Sequence, residues 1–118
     1  MKYDKGLVGG STVLMILSLL KEGDRYGYDI IKELEERSEK AFQFKEGTLY
    51  PVLHRLEAKG WVTSYKAKGD RGKMRKYYRI TKGGAEELEE ELKMWESFTE
   101  NVQKVLQGNQ GKSLQTIS

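Results

Sequence analysis

Residues 46–62 read EGTLYPVLHRLEAKGWV. Leu49, Val52, Leu53 and Leu56 recur at the spacing of one helix face, and at about 100° per residue they fall within one apolar arc. Pro51 stands inside that pattern. A proline is tolerated in the first turn of a helix, where its missing N–H would have no partner anyway. The helix is therefore expected to begin around Gly47 or Thr48, with Thr48 as its N-cap, and to end at Gly60. Its outer side carries Pro51, His54 and Ala58, with Tyr50 and Arg55 on the shoulders. One reading is an ordinary amphipathic helix with a solvated outer side. The other is that a phenol, an imidazole and a guanidinium suit base edges and phosphates in a major groove. The helix alone leaves both open.

Upstream, Ser11-Thr12 precede VLMILSLL, and Gly23 follows. Ser or Thr suits an N-cap and Gly a stop, which predicts a first helix. It is apolar on nearly all sides, as a helix buried among neighbours or along a partner chain would be. A second helix is expected from near Tyr26 to about Ser38, with Ile30, Ile31 and Leu34 on one face and Glu33–Arg37 as an i,i+4 charge pair. Downstream of Gly60 the period changes from 3.6 to 2. WVTSYKA places Trp61, Thr63 and Tyr65 on one strand face, KGDRGK has hairpin-turn chemistry, and MRKYYRI returns as a second strand. Of Tyr77 and Tyr78, one faces the core and the other faces out.

Thr81 then caps a long helix. Positions 85, 88, 92, 95, 99, 102 and 106 hold Ala, Leu, Leu, Trp, Thr, Val and Leu, a heptad seam broken only by Thr99. About 26 residues at 1.5 Å each span roughly 39 Å. That is long for a small globule, and a seam so placed meets another chain. The tail GNQGKSLQTIS is polar and expected to be disordered. The domains are thus residues 1–80, 81–107 and 108–118. The fold is expected to be mainly α with a two-stranded β-wing: a winged helix-turn-helix plus a long C-terminal dimerisation helix.

The 118 residues suffice for one modest core. The net charge is +3 but uneven. Residues 1–80 hold 17 basic and 11 acidic side chains, a net of +6, whereas residues 81–118 hold 4 and 7, a net of −3. Between Lys66 and Arg79 lie seven cations and one acid, Asp70. A charge run is usually a solvated face, but these cations flank a glycine-bearing tip beside a helix with a groove-compatible side, which favours nucleic-acid phosphate. The acidic run Glu86, Glu87, Glu89, Glu90 and Glu91 suits a helix start and a surface kept away from DNA.

Catalysis is unsupported. The single histidine, His54, has no cysteine to work with, since the chain has none, and no HExxH spacing occurs. In AKGDRGKM the first glycine of a phosphate-loop pattern falls on Ala67 and Met74 replaces its Ser/Thr; GLVGGST has no strand before it. No enzyme and no cofactor is expected. The N-terminus MKYDKGLVGGST lacks the apolar core of a signal peptide, Val13–Leu17 is far too short to span a bilayer, and cysteine-free composition fits a reducing compartment, so a cytoplasmic protein with no membrane partner is expected. Trp95 on the seam reads first as packing. At a two-fold interface, however, two facing indoles could sandwich a flat aromatic molecule.

RYGYDI (25–30), EGTLYPVLHRLEAKGWV (46–62) and RKYYRITKGG (75–84) strongly resemble the PadR-like family of bacterial transcriptional regulators, over about residues 7 to 106. The single C-terminal helix resembles the family's compact subgroup, which includes multidrug-sensing repressors. The resemblance implies a homodimeric repressor on a pseudo-palindromic double-stranded DNA operator. The third helix, Thr48 to Lys59, would read the major groove, and a wing from about Lys66 to Arg75 would meet phosphates or the minor groove. The DNA-contacting set is then Tyr26, Lys45, Thr48, Tyr50, Pro51, His54, Arg55, Lys68, Arg71, Lys73, Arg75 and Lys76. The dimer seam is Leu88, Leu92, Trp95, Val102 and Leu106, the last helix pairing with the partner's N-terminal helix. In drug-sensing relatives a tryptophan at the Trp95 position lines a central pore. Carried over, Trp95, Leu14, Ser18 and Thr99 would line a site for an aromatic small molecule, although Thr99 stands where those relatives carry an acid. The competing class is a small-molecule sensor or protein-interaction module with little DNA binding.

Overall fold

The computed structural model describes residues 5–108, with side chains from Ser11 onward. The elements in chain order are α1 (Lys5–Glu22), β1 (Arg25–Tyr26), α2 (Gly27–Arg37), α3 (Glu46–Ala58), β2 (Val62–Lys68), a single 3-10 turn (Asp70–Gly72), β3 (Met74–Ile80) and α4 (Lys82–Gly108). The chain divides into two compact units after Leu88.

The first helix starts at Lys5, not at a Ser11-Thr12 cap; Thr12 is buried inside it. The glycines at 6, 9 and 10 do not stop it, since a helical glycine costs only about 1 kcal/mol relative to alanine. Ile16, Leu17, Leu19 and Leu20 of α1 join Ile30, Ile31 and Leu34 of α2 and Leu49, Leu53 and Leu56 of α3 in one core. At the edge of that core Arg37 bridges Glu33 at 2.8 Å and Glu22 at 2.7 Å. Hydrogen bonds from Arg37, then from Arg25, hold the exposed Glu22 carboxyl down at about 2.

The sheet has three strands rather than two. The extra strand, β1, pairs antiparallel with β3 (Arg25 opposite Tyr78, Tyr26 opposite Tyr77), so the order is β1-β3-β2. Two residues carry no readable periodicity, which is why the sequence did not announce it. Val62 and Tyr78 are buried against the helices, and Thr63 and Tyr65 face outward.

Helix α3 begins at Glu46, with Lys45 as N-cap and no side-chain cap bond; Thr48 lies inside the first turn instead of capping it. Pro51 therefore sits in the second turn. The carbonyl its N–H would have engaged is that of Gly47, four residues back. Gly47 is exposed with open space around it, so water can take the lost bond. The far end follows the expected geometry. Gly60 has φ 80°, its N–H donates to the Glu57 carbonyl at 3.0 Å, and the Trp61 N–H donates to the Leu56 carbonyl at 3.0 Å. This is a Schellman closure, which needs glycine at the left-handed position.

Thr81 caps α4. Its hydroxyl accepts the Gly84 N–H at 3.0 Å and donates to the Gly60 carbonyl at 2.6 Å, and its own N–H donates to the Trp61 carbonyl at 3.0 Å. The end of α3 and the start of α4 are thereby fastened together. Gly84 packs so closely that a Cβ there would collide with the Trp61 carbonyl.

Candidate nucleic-acid interface

Three fully buried leucines, Leu49, Leu53 and Leu56, pin α3 to the core. That rotation leaves Lys45, Thr48, Pro51, His54 and Arg55 exposed. The side chains of His54 and Arg55 make no hydrogen bond or ion pair among the described residues. Tyr50 divides its surface. It is 38% exposed, but its ring lies against the start of α2, where a Cβ on Gly27 would collide with it. Burial, followed by the Glu46 charge, raises its hydroxyl above the ordinary tyrosine range.

Strand register gives the hairpin two faces, because cross-strand partners share a side. On the helix-facing side Val62, Ser64, Lys66 and Lys68 oppose Ile80, Tyr78, Lys76 and Met74. On the other, Thr63, Tyr65 and Ala67 oppose Arg79, Tyr77 and Arg75, and Tyr26 lies beside Tyr77. This second face is a continuous stack. The Arg75 guanidinium lies 4.4 Å from the Tyr26 ring, Tyr26 meets Tyr77 edge-on at 5.6 Å, Tyr77 stacks on Tyr65 at 5.7 Å, and Arg79 covers Tyr65 at 5.0 Å. Asp24 accepts from the Tyr65 hydroxyl at 2.6 Å and from Arg79 at 3.0 Å. Those two donors hold its carboxyl below the usual range although partial burial opposes them. Of the anticipated DNA-contacting residues, Lys68, Arg71, Lys73 and Lys76 are exposed, whereas Tyr26 and Arg75 are already engaged with each other. The tip is tight: the Gly69 N–H donates to the Lys73 carbonyl at 2.8 Å, and Arg71 (φ 66°) and Gly72 (φ 70°) are both left-handed.

On α4 only Leu88 of the anticipated seam is buried. Leu92 is 41% exposed, Trp95 45%, Val102 38% and Leu106 50%. The Thr99 hydroxyl donates to the Trp95 carbonyl of its own helix at 3.0 Å, so the residue turns no unmet donor toward the stripe. A second exposed row, Met94, Phe98 and Val105, runs beside the first; the heptad template passed over it. On α1, Leu14 is partly covered and Ser18 exposed.

Among the described residues no cluster of His, Asp or Glu could hold a metal ion, and no helix is long and apolar enough to cross a membrane. Three helices, a polar-faced third helix and a basic hairpin define the winged-helix class of DNA-binding folds. The family model for PadR-like transcriptional regulators matches residues 16–90, and the chain belongs to that family. It is a transcriptional regulator, of a family whose members are regulators and not enzymes. A Lysinibacillus sphaericus protein named uncharacterized protein X is 40% identical over 102 residues, covering 86% of this chain and 94% of its own. The transcriptional regulator Cth-833 from Clostridium thermocellum is 37% identical, with a TM-score of 0.76 over 84% of this chain and 96% of its own. A PadR family transcription regulator from Clostridium difficile R20291 is 34% identical, with a TM-score of 0.73 over 81% and 98%. The chain spans 43% of the length of the Escherichia coli transcriptional regulator YqjI and 48% of the Bacillus subtilis negative regulator PadR.

Proposed function

We propose that this chain acts as a cytoplasmic homodimeric repressor on a pseudo-palindromic double-stranded DNA operator. The observation that carries the reading is the unengaged Thr48–His54–Arg55 side of α3 beside a hairpin with seven cations and one acid. Two copies would place α3 in successive major grooves about 34 Å apart, or a multiple of that. The apolar stripe on α4 supports pairing of copies. Exposed Trp95 supports an aromatic small molecule at the pair's interface as the signal that relieves repression.

Selection of bound duplexes from a random pool, followed by a salt titration, tests this. Log affinity should fall with log salt at about −0.9 per neutralised phosphate. Arg55→Ala is expected to reduce the operator-to-random affinity ratio by about 5- to 150-fold, the worth of one bidentate base contact at about 1–3 kcal/mol, with little change on random DNA. Equal wild-type affinity for operator and random DNA would refute specific repression. For the effector, flat aromatic compounds should quench tryptophan fluorescence, and Trp95→Ala should abolish the response while Trp61 supplies a constant background. Quenching without any salt-dependent DNA binding would instead make the chain a sensor module.

A further inference from the structure

Seven basic residues lie between Lys66 and Arg79; the register puts Lys66, Lys68 and Lys76 on one side and Arg75 and Arg79 on the other, and leaves Arg71 and Lys73 in the tip. Lys66 and Lys76 are direct cross-strand partners on the helix-facing side. Nearer the base that side is covered, with Val62 and Tyr78 buried, but further out both lysines are exposed. Neither has a carboxylate within ion-pair distance among the described residues. Glu57, the α3 carboxylate that reaches this side, accepts instead from Ser64 at 2.7 Å. Lys76 extends over the Tyr78 ring, 5.6 Å from its centre, close enough to α3 for its charge to act on the Tyr50 hydroxyl. Like charges directly opposed across an antiparallel pair are destabilising. An anion between them reverses that sign.

Arg75 belongs to the opposite side. Its guanidinium lies on Tyr26, and its Cδ and Nε press against Gly69, where a Cβ would come within 2.9 Å of both. The stack then continues through Tyr77 and Tyr65 to Asp24, in the turn between α1 and β1. It therefore ties the tip of the hairpin to the helical body.

We propose that the wing takes a backbone phosphate between Lys66 and Lys76, and that Arg75 is a positioning residue holding the hairpin in place for that contact. The proposal rests on the DNA-binding reading above and refines it.

The test uses the full chain, fluorescein-labelled selected and random duplexes, and anisotropy across a salt series. A flat wild-type salt response would sink the DNA-binding reading itself. With binding established, Lys66→Ala/Lys76→Ala should make the log–log slope shallower by about 0.9, the worth of the one phosphate they share, and Lys66→Ala by part of that, on both duplexes alike. Arg75→Ala should weaken binding about fivefold, the worth of a partly covered cation–π contact, with the slope unchanged. Arg75→Lys, which keeps the charge and the fold but not the planar stack, should not restore it. The assignment is overturned by an unchanged slope in Lys66→Ala. It is equally overturned by a slope loss of about 0.9 in Arg75→Ala that Arg75→Lys repairs, because that is the behaviour of a direct phosphate contact.

Discussion

Replacing Leu92 and Val102 together by aspartate is expected to give a monomer and to lower operator affinity by at least about a hundredfold. Both side chains are more than a third exposed in the single chain, so the core from α1 to β3 should stay folded, and thermal unfolding should fall only by what pairing adds and lose its concentration dependence. Operator binding should suffer because two linked half-site contacts act as one, and that linkage is worth about 10²- to 10⁴-fold. The stripe itself is the reason to expect pairing. At about 100° per residue, the row Leu92–Trp95–Val102–Leu106 and the row Met94–Phe98–Val105 together cover close to half the circumference of the helix. A two-helix seam is narrower than that, so a pairing surface that covered both rows would be broader than one facing helix. Light scattering coupled to size exclusion, with DNA anisotropy on the same samples, decides the matter. A doubly charged variant that remains a dimer would remove α4 from the interface.

Gly84→Ala is expected to lower stability by about 3 kcal/mol, at the upper end of what forced overpacking costs. The added methyl meets a backbone carbonyl, that of Trp61, and the Ile80 side chain lies 2.9 Å away. A side chain could swing aside; the carbonyl cannot, because it already accepts the Thr81 N–H. Thr81→Ala, which removes the cap and the exposed hydroxyl bond to the Gly60 carbonyl, should cost about 1–2 kcal/mol. Urea unfolding separates the two: the alanine at 84 should shift the midpoint well beyond the alanine at 81. Equal shifts would mean that the first turn of α4 is looser than its geometry.

Sequence reading reached the elements whose patterns are long. The strand Met74–Ile80 appears where its alternation put it, Tyr78 is the inward tyrosine, and Thr81 caps α4, although the acidic run begins beyond the first turn and not within it. A single residue is a weaker guide than a pattern. Pro51 marks a first turn by pattern, yet the helix starts one or two residues further back, at Glu46, and the Gly47 carbonyl left without a partner is exposed to water. The heptad template on α4 samples one position in every three or four and so missed Met94, Phe98 and Val105. The two sides of the wing were beyond reach for another reason. Which lysine faces which depends on the register, and the register depends on the number of residues in a tip whose left-handed Arg71 no pattern announces.

The fastening at Thr81 has a mechanical consequence. Within three residues, its hydroxyl and N–H bind the last carbonyls beyond α3 while its oxygen holds the first turn of α4. Such a joint behaves as a weld, not a hinge. A twist applied to the base of α4 finds no slack there and is delivered to the trailing end of the helix that carries Arg55.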